Sequence, residues 1–501
     1  MKWRVCDIRM PNVAAWWELR SNEITRNHKS SFSYFDNRKG FVPLVTDRTM
    51  VIIMGKKLPC DILIRHAMVL SPDMTIKKNQ LIAISEGKLL NIKADGDDVP
   101  YVATKQTFED DHLLWMPGLT DGHIHTSQQF LRGRLLDVRP VVWKRVNVPF
   151  ESCLNSELSK LSASLAALEM ISSGTTSFLD AGGKYPEAFA EVYGESGLRG
   201  FLTVMTNDSP NAPESLRTAS PEEGVKRLRD MKDLLISLGR RIQPIYSVTT
   251  PTAVSESLLR MVLEASIEDH IPFETHLNEY ASEVVEFIEE YGKRPFLWLE
   301  DEKLIPQTMI AAHAVFLSQE EMDVLQRNRI LVVHCPFSNC GKGVPSTPQL
   351  IHMGISCGFG SDGAGHGGLD LFREVRLFRS LMQVERGVPS ADSSVMSAET
   401  LLRMATCGGA SELFCKLAER LTPGAPADLI AIDTDSPNLW PSQNLVHSLV
   451  ECASGSNVRH SIINGRLIMK DRDILTLDTE KIRYNVKKAV NEFPWLTSWN
   501  E

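Results

Sequence analysis

His123 and His125 stand one residue apart in Gly122-His123-Ile124-His125, directly after the apolar run Leu113-Leu114-Trp115-Met116-Pro117-Gly118-Leu119. Side chains on a strand alternate with period two, so both imidazoles point to one face. Two imidazoles side by side at the end of a buried strand are the first two ligands a metal ion needs. Taken alone, the pair reads equally well as packed or solvent-facing histidines. Further residues of the same kind decide the matter. His276 lies in Glu274-Thr275-His276-Leu277-Asn278-Glu279, and His313 in Ala311-Ala312-His313-Ala314-Val315. His334 lies in Val332-Val333-His334-Cys335-Pro336, and Asp362 in Gly360-Ser361-Asp362-Gly363. Five of the thirteen histidines thus fall in or at the ends of apolar segments, which a random scatter would rarely produce.

Three imidazoles plus one carboxylate suit zinc, with iron as the main competitor. The expected ligands are His123, His125, His276 and Asp362, leaving a coordination position for water. A divalent ion lowers the pKa of that water toward neutrality, and Asp362 can accept its proton. Glu279, three residues after His276, can receive a proton and deliver it to a ring nitrogen or a leaving group. Its alternative is a helix-start glutamate favoured by the dipole. His313 is either a further ligand or, the preferred reading, a group that polarises the attacking water or the tetrahedral intermediate. His334 either contacts substrate or anchors its loop. His366, in Gly363-Ala364-Gly365-His366-Gly367-Gly368, either touches substrate or is an exposed loop residue. His28, His66, His112, His270, His352, His447 and His460 read as structural or exposed.

A repeat of strand then helix must position these residues. Strand candidates are 113–126, 175–180, 200–206, 242–249, 272–277, 308–315, 330–334 and 356–360. Helical segments at 157–172, 187–194, 221–238, 255–269, 281–291, 319–326 and 371–382 follow most of them. Ser318, with Glu321 three residues on, reads as an N-cap. Eight strands with helices between them over about 300 residues predict an α/β chain with a (β/α)8 barrel, whose site lies at the C-terminal strand ends. Strand-rich stretches flank it at 61–70, 80–93, 427–433 and 458–469, the last holding an Asn464-Gly465 hairpin turn. The expected division is an irregular extension over 1–57 that carries no site, then a strand-rich segment over 58–116. The barrel follows over 117–422, a second strand-rich segment over 423–475, and a helical tail over 476–501.

Bulk properties exclude several classes. The net charge of −9 argues against nucleic acid or an anionic membrane as partner, since both call for basic surface. No apolar stretch approaches the length that spans a bilayer, and Lys2, Arg4, Asp7, Arg9 and Glu18 interrupt any signal-peptide core. Nine scattered cysteines without a CxxC pair read as reduced thiols, so the expected location is cytoplasmic.

Pro117-Gly118-Leu119-Thr120-Asp121-Gly122-His123-Ile124-His125, His276 with Glu279, His313, Ser338-Asn339 after His334-Cys335-Pro336, and Gly360-Ser361-Asp362-Gly363 together resemble the amidohydrolase superfamily. More narrowly, the chain resembles the aminohydrolase branch of 5-methylthioadenosine/S-adenosylhomocysteine deaminases, guanine deaminases and triazine chlorohydrolases. Leu131-Arg132-Gly133, Trp143 with Pro149 and Glu151, and Gly174-Thr175-Thr176 also match that branch. The resemblance covers roughly residues 58–475. It implies that the two strand-rich stretches join into a small β-sandwich beside the barrel, and it makes a homo-oligomer a common outcome. Binuclear members need a carboxylated lysine on strand four; Gln243-Pro244-Ile245-Tyr246-Ser247-Val248-Thr249 has none, which favours one metal ion. Glu279 favours deamination, since some triazine hydrolases of this branch replace it. The loops after His125 and Asp362 depart from the usual pattern and leave the substrate open.

The leading expectation is hydrolytic deamination of an aminopurine-type ring, an adenosine derivative or a guanine-like base, with release of ammonia. Arg132 and Trp143 are candidates for a substrate tail and a ring face, each with a structural alternative. A second expectation keeps the metal chemistry and changes the leaving group: chloride from a triazine, or the C–N bond of a cyclic amide. A binding protein that has lost activity is the third, and the retained ligand set argues against it.

Overall fold

Pro117 and Gly118 interrupt what reads as one apolar strand, and the interruption separates the two layers of the fold. The computed structural model describes residues 43–46, 49–52, 57–239, 241–414, 421–493 and 495–498. Most of the extension expected over 1–57 lies outside the described residues. Within it, β1 (Pro43–Thr46) and β2 (Thr49–Ile52) form an antiparallel hairpin. That hairpin belongs to a separate unit, Met1–Leu58, and all that follows concerns the other unit.

The N-terminal strands of that unit are β3 (Leu58–Leu70), β4 (Ile76–Ser85), β5 (Lys88–Ala94), β6 (Tyr101–Phe108) and β7 (Leu113–Pro117). After Gly118 the chain enters β8 (Leu119–His125), in a different sheet. Proline cannot donate to a ladder, and a Cβ on Gly118 would lie 2.1 Å from the Thr176 side chain. The expected strand 113–126 is therefore two strands.

Helices and parallel strands then alternate. The strands are β9 (Thr175–Asp180), β10 (Arg199–Leu202), β11 (Ile242–Pro244), β12 (Tyr246–Ser247), β13 (Phe273–Leu277), β14 (Met309–His313), β15 (Leu331–His334), β16 (Cys357–Phe359) and β17 (Asp362–Gly363). They form two five-stranded parallel sheets, ordered β11-β10-β9-β8-β17 and β12-β13-β14-β15-β16. The chain passes between the sheets at two points. Ile245 N–H donates to Leu202 O at 3.1 Å, while Tyr246 N–H donates to Pro272 O at 2.8 Å. Likewise Gly360 N–H donates to His334 O at 2.9 Å and Ser361 N–H to Asp121 Oδ1 at 2.9 Å. Helices Ser156–Ser173, Pro221–Ser237, Glu256–Asp269, Gln319–Asn328 and Leu371–Met382 lie between strands or after them. Ser318 and Glu321 form the reciprocal cap that their spacing predicts.

The remaining strands, β18 (Leu429–Asp433), β19 (Val458–Ile463), β20 (Arg466–Lys470) and β21 (Asp473–Ile474), join the N-terminal ones. The nine-stranded sheet runs β21-β20-β19-β18-β7-β3-β4-β5, with β6 on β3. Its own apolar core includes Ile64, Ile82, Trp115, Leu429 and Ile462, whereas Phe178, Phe273, Phe359 and Phe378 belong to the larger one. Helices Thr479–Glu492 and Trp495–Ser498 lie in the C-terminal segment. Among the described residues, no helix is long and apolar enough to cross a membrane.

Candidate active site

The two-residue period of β8 aims His123 and His125 at one point, with ring centroids 5.0 Å apart. The same period on β13 turns Glu274 and His276 inward. Parallel pairing opposes Leu277 to His313 and Ile124 to Asp362, so the strand ends converge. His125 Nε2 lies 3.0 Å from His276 Nε2 and 3.5 Å from Asp362 Oδ1. The His123 ring is 4.6 Å from that of His276 and 5.2 Å from that of His313. His123, His125, His276, His313, Glu279 and Asp362 thus come together in one buried cluster. Gly360 is what lets the last strand approach: a Cβ there would meet His123 O at 2.8 Å.

The hydrogen bonds at the far side of each ring decide what the near side can do. His123 Nδ1–H donates to Glu274 Oε1 at 2.7 Å, and His276 Nδ1–H donates to the Thr249 carbonyl at 2.5 Å. Both rings therefore present an unprotonated Nε2 to the cluster. His123 Nε2 is buried without a hydrogen-bond partner, and the Nε2 atoms of His125 and His276 face each other. A buried acceptor lone pair left without a donor, as at His123 Nε2, is costly. A divalent cation would satisfy it together with the neighbouring His125 and His276 nitrogens, and outer partners of this kind orient ligand histidines. The donor set of three imidazole nitrogens and the Asp362 carboxylate therefore fits a metal ion. Burial alone would raise Asp362, but His366, His125, His313 and Lys342 hold it well below the usual carboxylate range. Burial also pushes His125 well below the ordinary histidine value.

His313 has a different proton. Asn339 Oδ1 accepts from Cys335 N–H at 2.8 Å, which fixes that amide, and its Nδ2–H then faces His313 Nδ1 at 3.4 Å. The proton of a neutral His313 is accordingly on Nε2. That N–H points at Glu279 Oε1 (3.7 Å) and Asp362 Oδ2 (3.9 Å) and has no hydrogen-bond partner among the described residues. Burial, then the Lys342 charge, keep this ring neutral. His313 has left-handed backbone (φ 69°), as does Asp362 (φ 60°), a strain that clusters at functional sites.

Glu279 is bonded to the ammonium of Lys342, a residue the sequence did not single out. Lys342 also donates to Ser338 Oγ at 2.5 Å and lies 5.1 Å from the centre of the Tyr280 ring. Burial opposes its charge, but the Glu279 and Asp362 carboxylates outweigh it and raise the pKa of Lys342. A lysine in Cys340-Gly341-Lys342-Gly343 looks like any solvated loop lysine, so spacing held no signal for it. Glu274 did carry one, lying two residues from His276 on the inward face of β13.

A cavity opens beside the cluster, walled by Val142, Trp143, Val148, Met205 and Tyr280, with Glu151, Glu279, Lys342 and His366 as polar groups. Ser127 Oγ–H and Gln128 Nε2–H both donate to Glu151 Oε1, and burial pushes this carboxyl up to about 7. Trp143 and His366 thus face the cavity. Arg132 lies farther out, in a wider recess, where it is ion-paired with Glu169 and donates to Gln129 Oε1 at 2.6 Å. His334 is not on the cavity wall, a correction to the substrate contact expected of it. Its Nδ1–H donates to His313 O at 2.8 Å and its Nε2 lies 2.9 Å from Thr347 Oγ1, so both nitrogens are occupied. The ring stacks on Phe378, and burial lowers its pKa to about 4.

Residues 114–468, more than half of the chain, match the Amidohydrolase family. The 5-methylthioadenosine/S-adenosylhomocysteine deaminase of Haloarcula marismortui is 30% identical over 437 residues, covering 84% of this chain and 96% of that protein. The 5'-deoxyadenosine deaminase of Methanosarcina barkeri is 31% identical over 438 residues, covering 86% and 98%. A structure of an adenosine deaminase from Xanthomonas campestris with bound zinc superposes with a TM-score of 0.80 at 25% identity. It covers 87% of this chain and 99% of that one, so the likeness extends over both sheet systems.

Proposed function

The chain belongs to the amidohydrolase family, and from that premise we propose hydrolytic deamination of an aminopurine-type ring with release of ammonia. One observation carries the reading. Nitrogens of His123, His125 and His276 converge with the Asp362 carboxylate in one buried cluster, His123 Nε2 without a hydrogen-bond partner, and a carboxylate, Glu279, stands beside them at the edge of an apolar cavity. The names of the relatives support the same ring class, and the zinc in the similar adenosine deaminase supports zinc here.

His123, His125, His276 and Asp362 would hold one divalent ion. When bound, the ion supplies hydroxide at neutral pH by acidifying water. Glu279 accepts a proton from the attacking water and delivers it to the ring nitrogen next to the amine-bearing carbon. The Nε2–H of His313 donates to the oxygen being added and stabilises the charge that gathers there. Asp362 takes the second proton and passes it to the departing amine, which leaves as ammonia. Trp143, Tyr280, Val142 and Met205 enclose the ring and exclude water, which strengthens each of these interactions. Glu151 and His366 are the polar groups on that wall suited to a sugar or tail, and Arg132 serves at most the outer end.

The two parallel sheets are read as one (β/α)8 barrel in which β11 with β12, and β16 with β17, are single interrupted strands. The nine-stranded sheet is read as the flanking sandwich, with segment boundaries at 58–116 and 423–475 and a helical tail beyond. Ammonia release by zinc-loaded protein against aminopurine nucleosides, guanine, pterins and triazines tests the function, with Glu279→Gln as control. Ammonia from a purine, lost in the variant, supports it; no ammonia from any ring refutes it.

A further inference from the structure

Lysine is among the side chains least often buried, because its ammonium is strongly hydrated. Lys342 departs from that rule at a chemically loaded point. Its side chain is 4% exposed and its ammonium bonds one oxygen, Oε1, of Glu279, which is itself 7% exposed. The Ser338 hydroxyl holds the ammonium from a second side, and the Tyr280 ring lies against it. The loop that carries it does not need this charge for its own shape. Backbone bonds from Lys342 N–H and Gly343 N–H to Asn339 O fold the turn, and Asn339 is tied to Cys335. The desolvation cost of the ammonium is instead offset by Glu279, so the two side chains are bound to each other's position.

We propose that Lys342 is a positioning residue of the deamination reaction: it holds the Glu279 carboxylate in the single orientation from which it can shuttle the proton. A glutamate has three rotatable bonds, and its free carboxylate would sample several directions within the cavity. Anchoring Oε1 on the ammonium removes that freedom before substrate arrives. Preorganisation of this kind governs rate more than affinity, since a displacement of about 1 Å in a reacting group costs up to about 100-fold. The inference rests on the deamination reading for its consequence, though not for the contact itself.

Lys342→Met separates the two. In a crystal structure of this variant, the Glu279 side chain is expected to leave its place, while His123, His125, His276 and Asp362 stay where they are. Zinc content should be unchanged, kcat should fall about 10- to 100-fold and KM should stay within about twofold. Lys342→Arg, which keeps the charge, should recover part of the lost kcat with Glu279 back in place. Glu279 unmoved in Lys342→Met overturns the proposal, whatever the enzyme's activity. A raised KM at unchanged kcat also overturns it, by making Lys342 a substrate contact. Wild-type protein that releases no ammonia refutes the deamination reading instead and leaves the crystallographic comparison decisive for Lys342. If Lys342→Met fails to fold, Lys342→Gln, which keeps a donor without the charge, is put through the same comparison.

Discussion

Glu274 Oε1 accepts a hydrogen bond from His123 Nδ1 at 2.7 Å, with neither side chain exposed to solvent. The carboxylate fixes the ring so that Nε2 is the atom facing the cluster. Outer partners of ligand histidines are worth about 10- to 100-fold in metal affinity. Glu274→Gln should therefore bind zinc about 10- to 100-fold more weakly by competition with a chelator, while Tm of the metal-loaded protein changes little. Unaltered affinity would mean that the ring is held by its packing alone.

Gly360 packs against the backbone of His123. A Cβ at this position would lie 2.8 Å from His123 O and 2.9 Å from His123 N and Cβ, none of them the far end of a flexible side chain that could yield. Gly360→Ala should cost about 1–3 kcal/mol, read as a lower denaturation midpoint, and should lower zinc occupancy as His123 is displaced. A variant with wild-type stability and full occupancy would show that the segment between β16 and β17 can shift without cost.

His460 provides a pH signature away from the site. Burial lowers it from the ordinary 6.5 to about 4, against the opposing pull of Asp471, and it stacks on Trp115 and packs at a tilt against Phe108. Its Nδ1 accepts from Asp471 N–H at 3.0 Å. Because the folded pKa is depressed, the unfolded chain takes up this proton first as pH falls. The contribution to stability is full above pH 6.5, declines between 6.5 and about 4, and falls no further below that. His460→Gln should lose less Tm than wild type between pH 7 and about 4.5. Parallel Tm curves for the two proteins would contradict a neutral buried imidazole.

Trp143, half-buried on the wall of the cavity, tests the placement of the ring. Aromatic contact contributes about 0.5–1.5 kcal/mol beyond the buried area, so Trp143→Ala should raise KM about tenfold with a smaller effect on kcat. An unchanged KM would move the ring elsewhere in the cavity.

The chemistry was more legible than the architecture around it. Period-two spacing and apolar flanks suffice to bring His123, His125, His276, His313 and Asp362 together, because a strand leaves its side chains only two directions. The segment boundary after residue 116 was legible, yet 113–126 read as one strand, since both halves are equally apolar and the break depends on Gly118 meeting Thr176. His334 misled for a related reason. Strand ends face both the cavity and the helices behind it, and which way a ring turns is decided by partners such as Thr347 and Phe378, buried residues that lie outside the motif in sequence. Lys342 was illegible because its loop has no period, and only the fold brings Glu279 to it.

The most direct test is a zinc titration of metal-stripped protein, with ammonia release from an adenosine-type nucleoside recorded at each addition. The account predicts no ammonia at the start, a linear rise and a plateau at one zinc per chain, with Glu279→Gln taking up the same zinc and releasing about 100- to 10,000-fold less ammonia. Ammonia from the stripped protein, or none at one zinc per chain, would contradict it.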